Sequence, residues 1–211
     1  MIEAVVGGIF QTPIYMTKLK KEFSKEEISF INNDKINTQS QLNERMPGGN
    51  FTSSNKYILD EKIFKNLKQE VQLIVEDYFD RVVSLPKDMT PYITQSWLTY
   101  TESGESHHEH EHSNSYASGV IYVDCHKTLD KIVFNNHGYA MICPQPRVSN
   151  VFNSSMWIMP VEKNKILLFP SSLTHRIPKI EGDYSRISLA FNTFIKGKIG
   201  NAKTANELFL K

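Results

Sequence analysis

Four of the chain's seven histidines stand within six positions: His107, His108, His110 and His112. In an extended segment side chains alternate, so His108, His110 and His112 would share one face and Glu109 and Glu111 the other. Neutral imidazoles two residues apart on one face form a ligand pair that suits iron, zinc, copper or nickel. A working metal site needs a further ligand from elsewhere in the chain. His175, in Leu173-Thr-His-Arg, is the natural candidate, because it follows the apolar run Ile166-Leu-Leu-Phe at a Pro-Ser-Ser turn. His126 and His137 are the other candidates. The same stretch holds a second option, since His107-x-Glu109 has the His-x-carboxylate form of a facial triad for non-haem iron. Spacing leaves the choice between the two pairs open. A solvated His/Glu loop that binds metal incidentally, as a tag does, fits the same composition.

The second chemical signal is Arg186. Only five of the 24 basic residues are arginines, so lysine covers the generic surface and each arginine marks a place where a planar fork is useful. In Arg186-Ile-Ser-Leu-Ala-Phe-Asn192 the residues Ile187, Leu189 and Phe191 alternate with Arg186, Ser188, Ala190 and Asn192. An arginine and a serine together on the inside of a small barrel need a carboxylate to meet them. A bidentate arginine with a hydroxyl beside it is a common grip on a substrate carboxylate. A strand with its polar face in water is the competing reading.

The elements that position these residues fall into two zones. Ile9-Phe-Gln-Thr-Pro-Ile-Tyr-Met16 reads as a short edge strand, because it carries a proline. Ser24 with Glu27 three residues later forms a capping box and predicts a short helix. Residues 37–56 are polar and loop-like, with a turn at Pro47-Gly-Gly-Asn50. From Asp60 to about Val83, the residues Ile63, Phe64, Leu67, Val71, Ile74, Tyr78 and Phe79 define one helical face. After Pro86 the pattern turns to short β-branched and aromatic runs at 93–100, 117–123, 131–134, 139–142, 156–161, 166–169 and 187–195, which together predict a β-sandwich or barrel. Without internal repeats or a low-complexity linker, residues 1–211 are expected to form one domain. In it residues 1–88 pack on a β core at 89–196, and a tail follows at 197–211. That tail is open between packing on the barrel and pairing two subunits in a homodimer.

Composition narrows the partners. The chain is 211 residues long, 40% hydrophobic and 22% charged, so it can bury a core. A net charge of +1 gives no reason to expect a nucleic-acid backbone or an anionic membrane as partner. No apolar run reaches the roughly 18 residues needed to cross a bilayer, and Met1–Gly8 lacks the pattern of a signal peptide. Two cysteines, Cys125 and Cys143, are too few for a disulfide framework and read as packing residues. A cytoplasmic protein is expected.

The motifs taken together resemble the Fe(II)/2-oxoglutarate-dependent oxygenases, most closely those of marine bacteria and the phages that infect them. The resemblance runs from Ile9-Phe-Gln-Thr-Pro-Ile through Trp97 and Gly104 to His110-Glu-His-Ser-Asn-Ser115 and Ser118-Gly-Val-Ile-Tyr122. It continues through Leu168-Phe-Pro-Ser-Ser-Leu-Thr-His175 and Arg186-Ile-Ser-Leu-Ala-Phe-Asn192. It implies a mainly β fold, the double-stranded β-helix (jelly-roll, cupin-like barrel) with flanking helices from the N-terminal third. It implies Fe(II) held by His110, His112 and His175, and favours that set over His107 and Glu109. It also implies 2-oxoglutarate gripped by Arg186 and Ser188, with Tyr100 and Tyr122 as further hydrogen-bond partners. In most of the superfamily the second ligand is Asp or Glu; here His112 stands in its place, which leaves the metal one unit more positive. The implied reaction is hydroxylation of a peptide, protein side chain or small metabolite, consuming O2 and 2-oxoglutarate and releasing succinate and CO2. Two other readings remain: a three-histidine cupin-type dioxygenase that needs no 2-oxoglutarate, and a jelly-roll that binds without catalysis.

Overall fold

The computed structural model describes residues 2–41, 45–136 and 145–211. Two antiparallel sheets face each other. The larger orders its strands β1 (Tyr15–Lys18), β8 (Lys165–Pro170), β5 (Ala117–Asp124), β10 (Arg186–Ile199), β3 (Thr90–Thr101) and β2 (Phe51–Thr52), and β11 (Leu208–Leu210) pairs with the far end of β10. The smaller sheet orders β4 (His107–His110), β9 (His175–Ile177), β6 (Lys131–Asn135) and β7 (Met156–Pro160). Sheet order that departs from chain order, with long crossovers between antiparallel strands, is jelly-roll topology.

The larger sheet is covered on both faces, which explains why β5 is buried from Ala117 to Val123 without interruption. On its outer face lie the helices. Helix α1 (Lys25–Gln41) starts at the expected capping box: Ser24 Oγ accepts from the Glu27 N–H at 3.1 Å, and a Glu27 carboxylate oxygen accepts from the Ser24 N–H at 2.7 Å. It runs further than the sequence suggests, into the stretch read as loop. Its polar flank is held by tertiary contacts: Lys35 pairs with Glu102 at 2.7 Å and donates to Ser185 Oγ at 2.8 Å. Helix α2 (Lys65–Tyr78) follows two 3-10 turns and ends in a π turn closed by Ser84 in the left-handed conformation (φ 54°). It buries Leu67, Val71, Val75 and Tyr78, close to the face read from periodicity. These side chains, with Ile31, Phe64 and Phe79, pack on Leu98, Tyr100, Ile121, Leu168, Leu189 and Phe191.

A second apolar cluster lies between the sheets: Val120, Tyr122, Ile132, Phe134, Met159, Leu167 and Phe169. Strand β10 therefore sorts its residues as the alternation requires, with Ile187, Leu189 and Phe191 in the core under the helices and Arg186 and Ser188 facing inward. Gly119, between Ser118 and Val120, answers to packing, because a Cβ there would overlap the Phe191 ring. The edge position expected for the first strand holds, though pairing starts only at Tyr15, after Pro13. The tail forms a 3-10 turn at Ala202–Thr204 and then β11, which pairs with β10. The run at 139–142, His137 and Cys143 lie outside the described residues. Among the described residues, no helix is long and apolar enough to cross a membrane.

Candidate active site

Three imidazoles converge between the sheets. His110 and His175 are direct cross-strand partners in the β4–β9 ladder. His112 follows β4, and its N–H is bonded to the Ser171 carbonyl at 3.0 Å. Ring centroids are 4.4 Å apart for His110 and His175, and 5.2 Å for His112 with each of the other two. One nitrogen from each lies within 4.8 Å of the others, close enough to share an ion.

The hydrogen bonds behind the rings decide which nitrogens face the gap. His110 Nδ1 lies 2.8 Å from the His108 carbonyl oxygen, and His175 Nδ1 lies 2.9 Å from that of Leu173. A carbonyl only accepts, so each Nδ1 carries the proton and each Nε2 keeps its lone pair. His112 Nδ1 sits 2.6 Å from Asn192 Oδ1 and 2.9 Å from Ser118 Oγ. Ser118 donates to the same Asn192 oxygen at 2.9 Å and meets Ser171 Oγ at 2.7 Å. All three rings thus share one tautomer, the arrangement of metal-ligating histidines whose second nitrogen is tied back to the protein. Burial is the main reason these groups resist protonation: it brings His110 down to about 4 and His175 to about 3, and lowers His112 as well. Neutral imidazole is the form that binds a metal. Trp97 and Phe169 wall the site, their rings 5.5 Å from His112 and 4.8 Å from His175.

Arg186 and Ser188 line the same cavity as the three histidines, a space of about 40 Å³ that Thr99, Thr101 and His107 also border. The Arg186 side chain is almost wholly buried (2% exposed). One guanidinium N–H donates to the Lys131 carbonyl at 3.0 Å, and the group lies 5.0 Å above the Tyr122 ring. Among the described residues no carboxylate pairs with it. The turn that offers the Lys131 carbonyl is braced by Asp130, which accepts from the His126 N–H at 2.8 Å and from the Tyr184 hydroxyl at 3.1 Å. Among the described residues the buried Tyr122 hydroxyl makes no well-formed hydrogen bond; burial pushes its pKa up, against the opposing pull of the neighbouring Arg186. A buried cation with no carboxylate against it among the described residues is costly by itself and suits an anionic ligand.

Two sequence expectations change. Tyr100 does not border this cavity. It pairs with Ile187 in the β3–β10 ladder and so faces the helices, where its hydroxyl donates to Asp34 (2.7 Å) and lies 3.0 Å from the Ile31 carbonyl oxygen. Its neighbours Thr99 and Thr101, opposite Ser188 and Arg186, take the inward face. The alternative pair His107 and Glu109 is split. A bulge in β4 sets four of its residues, His107–His110, against three of β9, and His107 stacks on His110 (4.3 Å) inside the cavity. Glu109 is exposed and hydrogen-bonded to the Asn135 amide. His126 accepts hydrogen bonds from the Thr128 and Leu129 N–H groups in its own turn, away from the triad. Asn192 and Ser118, which orient His112, belong to motifs quoted above for the family resemblance, but only the fold reveals their task.

Residues 95–192, from Gln95 in β3 to Asn192 in β10, match the family model described as "Putative 2OG-Fe(II) oxygenase". The matched segment is similar to the 2OG-Fe(II) oxygenase family. Enzymes of this family depend on Fe(II) and 2-oxoglutarate, and the donor set fits both: neutral nitrogens for the metal, a buried arginine for the dicarboxylate. Solved structures share the chain's fold. AviO1 from Streptomyces viridochromogenes Tue57 is similar with a TM-score of 0.57 at 11% identity, over 86% of this chain and 89% of that one. HygX from Streptomyces hygroscopicus, solved with nickel, 2-oxoglutarate and hygromycin B bound, is similar with a TM-score of 0.54 at 13% identity, over 86% and 82%. The α-ketoglutarate-dependent carbocyclase SnoK from nogalamycin biosynthesis gives 0.56 at 9% identity, over 86% and 79%. The comparison with curated proteins gave no match.

Proposed function

We propose that this oxygenase holds Fe(II) through the Nε2 atoms of His110, His112 and His175, anchors the distal carboxylate of 2-oxoglutarate on Arg186 and Ser188, and hydroxylates an organic substrate. The observation that carries this reading is the common tautomer of three converging imidazoles beside a buried arginine that meets no carboxylate among the described residues. When bound, Fe(II) and 2-oxoglutarate supply the oxidising chemistry, consuming O2 and releasing succinate and CO2. The protein's part is orientation. Asn192 and Ser118 fix the His112 ring, the His108 and Leu173 carbonyls fix the other two, and the Lys131 carbonyl holds one arm of Arg186 aside. The remaining N–H groups of Arg186 can then form a charge-assisted pair with a carboxylate. Trp97, Phe169 and Val120 keep bulk water from the metal. The structural neighbours include an α-ketoglutarate-dependent carbocyclase and an epimerase, so one fold serves more than one reaction. Hydroxylation is proposed here as the simplest of them.

Metal stoichiometry tests the ligand set. His175→Ala is expected to abolish binding of one Fe(II) per chain even though His107 to His112 all remain. Retention of stoichiometric, tight binding in that variant would instead identify the histidine run as an incidental surface patch.

A further inference from the structure

The triad cavity is small, but a groove of about 570 Å³ lies beside it. It separates the edge strand β7 from the extended N-terminal segment that leads into β1, with the turn before His175 as its floor. Groove and ligand are directly joined: Leu173 and Thr174 line the groove, and the Leu173 carbonyl accepts the His175 Nδ1 proton. Phe134, another wall residue, is the cross-strand partner of His175, their rings 6.2 Å apart. A molecule seated there lies one residue from the metal centre proposed above.

Among the described residues no charged side chain lines this groove, although 22% of the chain is charged. Its walls pair aromatic faces with neutral hydrogen-bonding groups. Phe10, Phe152 and Trp157 are 97%, 57% and 45% exposed. Thr12, Ser154, Ser172 and Thr174 also line it. Glu109 accepts a hydrogen bond from Asn135 but does not itself face the groove. A charged ligand entering here would lose hydration with no counter-charge to meet it, whereas an uncharged one would trade water for hydroxyl partners and ring contacts.

We infer that this groove binds the primary substrate, and that the part seated in it is uncharged, with an apolar face and amide or hydroxyl groups at its rim. The inference rests on the proposed metal centre only for the word substrate; the binding itself does not require iron.

The test uses the metal-free protein and ligand-observed NMR with matched triplets of small ring scaffolds, each as primary amide, amine and carboxylate. The amides are expected to bind at least tenfold more tightly than either charged partner, and Trp157→Ala to weaken them at least fivefold. Ser172→Asp, an exposed substitution, should turn the preference toward the amines. Equal or better binding of amines or carboxylates overturns the inference, as does failure of every amide to bind or amide binding indifferent to both substitutions. Sedimentation of the same samples covers the competing occupant: a dimer dissociated by Trp157→Ala would make the groove an interface between copies and overturn it too. An Fe(II)/2-oxoglutarate absorption measurement on the same protein reports separately on the metal centre, so either idea can fail alone.

Discussion

Asn192 offers a quantitative handle on the site, because it acts on the metal only through His112. Its Oδ1 lies 2.6 Å from His112 Nδ1 and is the acceptor that fixes the ring's tautomer and heading. Loss of such a partner typically lowers metal affinity by about 10- to 100-fold, roughly 1.4 to 2.7 kcal/mol. The structure places Asn192→Ala toward the weaker end of that range. Ser118 Oγ, already 2.9 Å from the same nitrogen, can accept the proton once its own donation to Asn192 is gone, and Ser171 at 2.7 Å can take the Ser118 hydroxyl proton. A loss of about 10-fold is therefore expected for Asn192→Ala and about 100-fold for Asn192→Ala with Ser118→Ala. Asn192→Asp should restore or strengthen binding, since a carboxylate makes a charge-assisted bond and raises the basicity of Nε2. Anaerobic competition titration with Fe(II) or Mn(II) measures all three. Wild-type affinity in the double variant, alongside loss of binding in His112→Ala, would refute the role given to this pair.

Other consequences separate the residues that share the cavity. His107→Ala should leave metal stoichiometry at one per chain while His110→Ala removes it; the reverse pattern would restore His107 and Glu109 as the ligand pair. Tyr100→Phe removes the hydrogen bond to Asp34 and should cost about 1–3 kcal/mol in chemical denaturation with no change in affinity for 2-oxoglutarate, whereas weakened cosubstrate binding would contradict its place under the helices. The buried histidines set a pH dependence. With His110 near 4 and His175 near 3 in the folded chain and ordinary imidazoles near 6.5 in the unfolded one, the unfolded state binds more protons below pH 6.5. Stability of the metal-free protein should thus fall as the pH drops from about 6.5 toward 4. A denaturation midpoint constant from pH 7.5 to 5 would count against neutral, buried rings.

Local pattern made much of this legible. Ser24 and Glu27 announced the start of α1, and helical periodicity drew the buried face of α2, because capping and amphipathicity depend on residues a turn apart. The alternation in β10 separated Arg186 and Ser188 from Ile187 and Leu189 because both faces of that strand are covered, each by different chemistry. What stayed hidden depends on register between distant strands. Nothing within β3 says that Tyr100 opposes Ile187 while Thr101 opposes Arg186. The bulge in β4, which turns His107 inward, arises only against β9. The polar end of α1 is stabilised from outside, by Glu102 and Ser185. Asn192 and Ser118 sit 74 positions apart, and their joint hold on His112 exists only once β5 and β10 pair.

The central claim is that three neutral imidazoles and Arg186 form one site for Fe(II) and 2-oxoglutarate. Anaerobic addition of Fe(II) and then 2-oxoglutarate to the metal-free protein tests it most directly, with a metal-to-ligand charge-transfer band as the readout. The account predicts a band that needs both additions, saturates at one equivalent of each, and requires much more 2-oxoglutarate in Arg186→Ala. One tightly bound Fe(II) per chain with no band, or a band that saturates identically without the arginine, would contradict it.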